Sequence, residues 1–424
     1  MSVSISILAT GSELLDGRVV DTNSNFVARE LSDLGIKLKR VLLVDDDMQE
    51  LVTGLEQLKS VSDVVITSGG LGPTDDDLTR YLIAKFFGVG LAENPDARKH
   101  LEEFYQKRGR ALDATNLKQA LLPIGSTMIP NEFGTAPGFM MQTKEGVTVC
   151  SLSGVPREFK SMYANSVAPI IKERSRGAPR LLRVTFKTFG LPESFVGRLV
   201  ASLKLPSEIV VSYRAAFPEV HVVLKALESF SALDHYAAKV RDVLGVECIY
   251  SQDPLVSFVE SVQELLIARS ATVATAESCT GGMLGEMLTR TPGSSGVYRG
   301  GIVAYHNDLK EGLLGVSRDI LETFGAVSAQ TVESMARAVS ARCKASFGLS
   351  VSGVAGPDGG SEDKPVGTFF IGIASPNGVT SMRCLYPSER GNVRTYAAYV
   401  ALDCLRRSLQ GIALPNSLPI LSRE

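Results

Sequence analysis

Over the first 150 residues, short continuous apolar runs alternate with longer stretches in which apolar residues recur every third or fourth position, as in βαβ units. SISILATG (4–11) reads as a buried strand, NSNFVARELSDLG (23–35) as a helix closed by Gly35, and KLKRVLLV (37–44) as a second strand. MQELVTGLEQLKSVS supplies the next helix and DVVITSGG (63–70) a third strand running into glycines. DDDLTRYLIAKFFGV (75–89) reads as a helix with Thr74 as its N-cap. The pattern predicts a parallel sheet.

From residue 181 the texture changes. LLRVTFKTFG, PESFVGRLVASLK, EIVVSYRAA, EVHVVLKALE and ALDHYAAKVRDVLG predict strand, helix, strand, strand, helix, a small α+β unit. SQDP (251–254) reads as a linker, after which Leu255, Val259, Val262 and Leu266 share one helical face. Alternation then resumes: TVATAES, GGIVAYH, LSVSGVAGP and VGTFFIGIAS as strands, with GGMLGEMLTR, SAQTVESMARAVSARCKASFG and a final NVRTYAAYVALDCLRRSL as helices. Three segments are expected, at 1–175, 180–250 and 254–412.

Composition narrows the classes. With 424 residues, 44% apolar, 21% charged and a formal charge of −2, the chain reads as globular and gives no electrostatic pull toward nucleic acid or an anionic membrane. MSVSISILATG has neither a basic n-region nor a spanning apolar run, so a cytoplasmic location without membrane insertion is expected. Six scattered cysteines without a CxxC pair and four scattered histidines argue for reduced thiols and against a zinc cage. A metal here would sit on carboxylates, which favours Mg²⁺ or a similar hard ion.

Candidate chemistry falls at strand ends. In SGGLGPTDDD (68–77), Gly69, Gly70 and Gly72 let backbone N–H groups approach a phosphate, and Asp75, Asp76 and Asp77 are candidates to hold a metal that carries it, although acids also favour a helix start for its dipole alone. Glu13, Asp21 and Asn23 follow the first strand; RGRALDATNLKQA offers Arg108, Arg110, Asn116 and Lys118 for diphosphate oxygens, and NEFGTAPGF opens on Asn131. Glu13 and Asp21 join Asp76 and Asp77 as candidate metal ligands. Lys118, Asn131 and the three glycines are candidate substrate contacts.

GSELLDGRVVDTN, SGGLGPTDDDLTR, RGRALDATNLKQA, NEFGTAPGF and SGVPREF together resemble the N-terminal domain of the CinA family (competence/damage-inducible protein A), itself similar to the molybdopterin-binding fold, a three-layer α/β/α arrangement. The resemblance implies a metal-dependent ADP-ribose pyrophosphatase yielding AMP and ribose 5-phosphate. Family members often have proline where this chain has Ser153, which bears on the stiffness of that loop.

AESCTGGML (276–284) places Ser278 and Cys279 at a strand-to-helix turn, where a nucleophile, an N-cap or simple packing all fit. A serine needs a base, and Lys310 in GGIVAYHNDLK, helped by Tyr305, is the candidate once burial or nearby charge lowers its pKa. His306 ranks second, because neighbours on an alternating strand end point opposite ways. Cys279 reads as packing. Thr280, Gly281 and Gly282 line the turn, whose backbone N–H groups are candidates to stabilise an oxyanion. Glu277 either orients Lys310 or the substrate, or bridges to a surface base. Arg390 is preferred over Arg394 for phosphate because Gly391 frees its turn.

TAESCTGG, GGIVAYHNDLK, GAVSAQTVESMA, VSGVAGPDGGSEDKPVGT and SERGNVR resemble the C-terminal domain of the same family, the nicotinamide mononucleotide deamidases. This implies hydrolysis of nicotinamide mononucleotide to nicotinic acid mononucleotide and ammonia without a cofactor, with Ser278, Tyr305 and Lys310 catalytic and Ser352, Gly353 and Arg390 on the substrate. A homodimer is also implied. The middle segment is similar to a KH-type module, but GLPES lacks the GxxG loop, so a spacer or dimerisation role is expected rather than nucleic-acid binding. A nucleotide-sensing or DNA-uptake accessory with degenerate sites, and a molybdopterin-binding role resting on fold analogy, are the rival readings.

Overall fold

The computed structural model describes residues 3–74, 76–177 and 180–414, so Asp75 lies outside the described residues. The chain divides into two compact units: one runs to Leu182 and includes Leu227–Ser229, and the other holds Arg183–Ala226 and the chain from Phe230 onward.

In the first unit, β1 (Ile5–Thr10), β2 (Arg40–Val44), β3 (Val64–Ser68), β6 (Thr127–Ile129), β7 (Gly138–Gln142) and β8 (Thr148–Leu152) form a sheet of order β2-β1-β3-β8-β7-β6. β4 (Leu91–Glu93) and β5 (Leu121–Pro123) pair separately. The β2-β1-β3-β8 portion is parallel, as the pattern predicts, whereas β7 and β6 add antiparallel edges that it does not. β1, β3 and β8 are buried throughout because both faces are covered, one around Val27, Leu31, Phe159 and Met162, the other around Leu51, Leu55, Leu82 and Ile83.

The helix expected at 75–89 begins only at Thr79, and Thr74 does not cap it. Instead the Asp77 carboxylate accepts from the Thr74 N–H (2.9 Å) and hydroxyl (2.6 Å), closing a loop ahead of the helix. Buried Arg80 holds that loop by donating to the carbonyls of Leu71 (2.6 Å) and Gly72 (2.9 Å). Asp76 and Asp77 therefore sit in a loop and not in a helical first turn, which removes the dipole explanation for them.

The second unit opens with the predicted βαββα order: β9 (Leu181–Phe189), a helix at Glu193–Ser202, β10 (Val210–Ala216), β11 (Glu219–Leu227) and a helix at Leu233–Leu244. A short β12 (Ile249–Ser251) adds a fourth strand, giving the order β10-β11-β9-β12. The expected linker is anchored: Ser251 belongs to β12, and Lys187 Nζ donates to the carbonyls of Pro254 (3.4 Å) and Val256 (2.5 Å). Glu219 on β11 accepts from Tyr399 of the last helix at 3.1 Å, tying the middle segment to the C-terminal part of the unit. Leu255 precedes the next helix, Phe258–Ala268, and is 78% exposed; Phe258, Val262 and Leu266 form its buried face.

β13 (Val273–Glu277), β14 (Tyr298–Val303), β15 (Phe347–Gly353), β16 (Thr368–Ser375) and β17 (Gly378–Leu385) build a mixed sheet of order β14-β13-β15-β16-β17. Side chains alternate across β13. Val273 joins the core shared with the helices Met283–Arg290 and Arg390–Gln410, while Ala274 and Ala276 join the opposite core with Ala304, Leu314 and Met335. Continued past the strand, this alternation sends Glu277 and Ser278 to opposite sides.

Candidate active site

Ser278 follows β13 directly, and its N–H donates to Val351 O (3.0 Å) across to β15. On its side of the sheet lies the helix Asn307–Leu314, whose Lys310 is 1% exposed and places Nζ 3.2 Å from Ser278 Oγ. Nζ also donates to the carbonyls of Ala304 (2.9 Å) and Tyr305 (3.1 Å). Burial pushes the Lys310 ammonium below the ordinary lysine range. A neutral amine has two N–H bonds and one lone pair. With two carbonyls taking the N–H bonds, the lone pair is left for the Ser278 hydroxyl, the arrangement a general base needs.

Glu277 neither orients Lys310 nor bridges to a surface base. Its carboxylate accepts from the N–H groups of Gly282 (3.0 Å), Leu284 (3.0 Å) and Gly285 (2.9 Å), the open end of the helix Met283–Arg290. Those N–H groups are thereby committed, so Gly282 is not an oxyanion donor. Gly281 N–H is also committed, to Ser278 O at 3.1 Å. Both glycines have positive φ, 61° and 97°, and shape the turn. Cys279 sits in the hydrophobic core with its thiol pushed up to about 12 by burial. Thr280 is fully buried.

Tyr305 contributes its carbonyl to Lys310, while its hydroxyl accepts from Arg390 Nη2 at 3.1 Å and its ring is exposed. Arg390 Nη1 also donates to Gly356 O (2.7 Å), so it spans the loops after β14 and β15. Gly391 is helical and frees no turn, which removes the reason given for preferring Arg390. Arg394, one turn on, donates from Nε to Cys279 O (3.1 Å) and from Nη2 to Thr280 O (2.8 Å). Ser352 is buried and donates to Ala326 O (2.7 Å). A side chain at Gly353 would lie 2.5 Å from Phe369 Cβ, so strand packing alone requires glycine there. His306 is exposed and caps its own helix, accepting from Asp308 N–H.

In the first unit, a cavity of about 500 Å³ opens where β1, β3 and β8 end. Glu13, Asp21, Asp76, Asp77, Gly69, Gly70 and Gly72 all line it, and Asp46, Gln119 and Glu158 join them. Asp21 caps the helix Thr22–Asp33 through Ser24 N–H (2.9 Å). Gly70 has φ 67° and a Cβ there would meet Thr79 Oγ1 at 2.3 Å, so its own fold demands glycine whatever the ligand.

Lys118, Arg108 and Asn131 do not line the cavity. Lys118 is exposed at the start of a short turn, Lys118–Ala120, and Arg108 lies over the Phe104 ring at 3.6 Å. Asn131 is a buried brace. It donates to Ala136 O (2.9 Å) and Glu158 Oε2 (2.8 Å) and accepts from Phe133 N–H (3.2 Å) and Gly134 N–H (2.9 Å). Those bonds use its amide on both sides, which corrects its reading as a ligand contact. Ser153 donates to Glu158 Oε2 (2.7 Å) and accepts from Val155 N–H (3.2 Å), so hydrogen bonds stiffen this loop where a proline ring is absent.

Among the described residues, no three His, Cys, Asp or Glu side chains converge into a preformed metal cage. A Mg²⁺-like ion that keeps waters and shares phosphate oxygens needs only one or two carboxylates. Glu13, Asp21 and Asp76, any one or two of which meet that requirement, line the cavity, as do Asn23 and Gln119, whose buried Oδ1 and Oε1 have no partner among the described residues.

Residues 6–173 match the family model described as a probable molybdopterin binding domain, and residues 256–409 the CinA C-terminal domain. A CinA-like protein of Desulfosudis oleivorans is 40% identical over 413 residues, covering 95% of this chain and 99% of that one. A CinA-like protein of Cyanothece sp. is 38% identical over 416 residues, covering 96% and 99%. The chain belongs to the CinA family. The crystal structure of competence/damage inducible protein CihA from Agrobacterium tumefaciens covers 36% of this chain and 96% of its own, at 39% identity and a TM-score of 0.35.

For this CinA-family chain, the sequence reading missed Asp46, Gln119, Glu158 and Arg80 and undervalued Arg394. Asp46 carried a signal, since Asp45-Asp46-Asp47 follows β2 at the carboxyl end of a parallel strand. Arg394 carried one too: the last helix opens on Arg390 and Arg394 with no acid in its first turn, although a helix start disfavours cations. Among the described residues, no helix is long and apolar enough to cross a membrane.

Proposed function

We propose that the C-terminal part of this CinA-family protein is a serine/lysine amidase that converts nicotinamide mononucleotide to nicotinic acid mononucleotide and ammonia. The observation that carries this is the buried Lys310 Nζ at 3.2 Å from Ser278 Oγ. Ser278 Oγ attacks the carboxamide carbon while its proton passes to neutral Lys310. The tetrahedral intermediate collapses with cleavage of the C–N bond, and Lys310 returns the proton to the departing ammonia. Water, deprotonated by Lys310, then attacks the acyl-serine ester, and the acid leaves as Ser278 recovers its proton. Tyr305 acts through its carbonyl on Lys310, and its hydroxyl with Arg390 offers donors to the substrate's phosphate or ribose.

The first unit is proposed as an ADP-ribose pyrophosphatase, which the cavity and its carboxylates support. A divalent cation there would be held by Glu13, Asp21 or Asp76 and would supply Lewis acidity and a template for the diphosphate. Arg80 keeps the loop that leads to Asp76 in place, and Asn131 braces the loop of Ala136 and the Glu158 carboxylate, which also line the cavity.

Incubation of the pure protein with nicotinamide mononucleotide should release ammonia, and Ser278→Ala should abolish that release. EDTA should stop ADP-ribose hydrolysis and spare ammonia release; loss of both together breaks this division of labour. A purely nucleotide-sensing protein would bind both compounds and turn over neither.

A further inference from the structure

We infer that Arg394 is a positioning residue for the nucleophile turn, an inference that rests on Ser278 being the nucleophile. The turn from Ser278 to Gly282 is held from two directions. Glu277 takes the N–H groups of Gly282, Leu284 and Gly285, and the Arg394 guanidinium takes the carbonyls of Cys279 and Thr280. Gly281 N–H closes the turn onto Ser278 O.

Two backbone donors are left over. Among the described residues, neither Cys279 N–H nor Thr280 N–H donates to another residue. Of the two, Cys279 N–H directly follows Ser278 in the chain and is the donor next to the nucleophile. The N–H of the residue after a nucleophilic serine is a recurrent oxyanion donor. Peptide planarity sets a carbonyl opposite the following N–H: the Thr280 carbonyl held by Arg394 shares its plane with Gly281 N–H, which bonds Ser278 O, and Ser278 O shares its plane with Cys279 N–H, so Arg394 acts on this donor through the Gly281 contact.

The placement has an electrostatic cost that calls for a reason. Arg394 stands near the N-terminus of the helix Arg390–Gln410, where the dipole repels a cation. Among the described residues, its hydrogen-bond partners are the two turn carbonyls and no carboxylate.

The test is Arg394→Met, with Arg394→Lys as the variant that can keep one carbonyl bond. The expected result for Arg394→Met is a kcat lowered by roughly 10²-fold, the scale of losing one oxyanion donor, with KM for nicotinamide mononucleotide within about twofold. Arg394→Lys should fall between Arg394→Met and the parent. Wild-type protein should discriminate against the thiocarboxamide analogue of the substrate, whose sulfur fits an oxyanion site poorly, and Arg394→Met should lose most of that discrimination. An unchanged kcat, or a raised KM with kcat intact, would overturn the inference, the latter making Arg394 a substrate-binding cation. If Arg394→Met does not fold, Arg394→Lys is judged by the same two readouts. Ser278→Ala separates the two claims: activity retained there defeats the serine mechanism itself, whereas a dead Ser278→Ala beside a fully active Arg394→Met defeats only this inference.

Discussion

Lys310 Nζ stands 3.2 Å from Ser278 Oγ with its other contacts made to two backbone carbonyls, of Ala304 and Tyr305. Among the described residues no carboxylate is bonded to it, so its charged form is poorly compensated. Lys310→Met should therefore lower amidase kcat by at least about 10²-fold, the usual contribution of a general base. The same variant should hold or raise the urea midpoint, because it removes a desolvated cation from the interior. A variant that loses activity only because it unfolds would contradict this account.

The pH dependence rests on the lowered pKa of Lys310, which burial causes. Protonated Lys310 cannot accept the Ser278 proton, so kcat/KM should rise with pH through a midpoint below the ordinary lysine value of about 10.4. Stability changes in the same sense: between the folded and unfolded pKa values the unfolded chain binds more protons, so this group's contribution grows more favourable as pH rises. An ascending limb that vanishes in His306→Gln would move the base to His306.

Glu277→Gln leaves size unchanged but sets an amide N–H₂ against N–H groups that now share a carboxylate. At least one donor loses its acceptor. Unfolding free energy should fall by about 2 kcal/mol, the scale of stranding a buried donor, measured by urea denaturation. A variant as stable as the parent would show that the clamp contributes little.

Asn131 braces the loop from Asn131 to Ala136 and the Glu158 carboxylate without lining the cavity. Asn131→Ala should lower the stability of the first unit by about 2 kcal/mol, again from stranded buried partners. A raised KM for ADP-ribose at unchanged stability would instead make Asn131 a ligand contact.

Cys279, with its thiol near 12 and its place in the core, should resist alkylation at pH 8. Iodoacetamide should react first at half-buried Cys343 and leave ammonia release intact. Inactivation in step with labelling of Cys279, followed by peptide mass mapping, would return the nucleophile to the thiol.

The local periodicities of this chain already determined much of its architecture. Buried strands ending in glycine turns and the βαββα middle order come from spacing and composition, because a covered strand must be apolar and a strand-to-helix turn needs small residues; the CinA family was legible as a resemblance of motifs. The sequence left the role of Glu277 open; the structure sends it away from Lys310, to the N–H groups of Gly282, Leu284 and Gly285. Only the tertiary structure decided which long-range partner each polar group takes. Thr74 and Asp77 bond to each other ahead of the helix because buried Arg80 grips the carbonyls of Leu71 and Gly72, and nothing in DDDLTR discloses where that guanidinium points. Asn131 spends its amide inside the loop, Arg390 bridges to Gly356 and Tyr305, and Arg394 reaches back 115 residues to Cys279. The physical reason is plainest for Arg80 and Asn131. A buried donor must find an acceptor, and in the interior that acceptor is supplied by the packing of other segments.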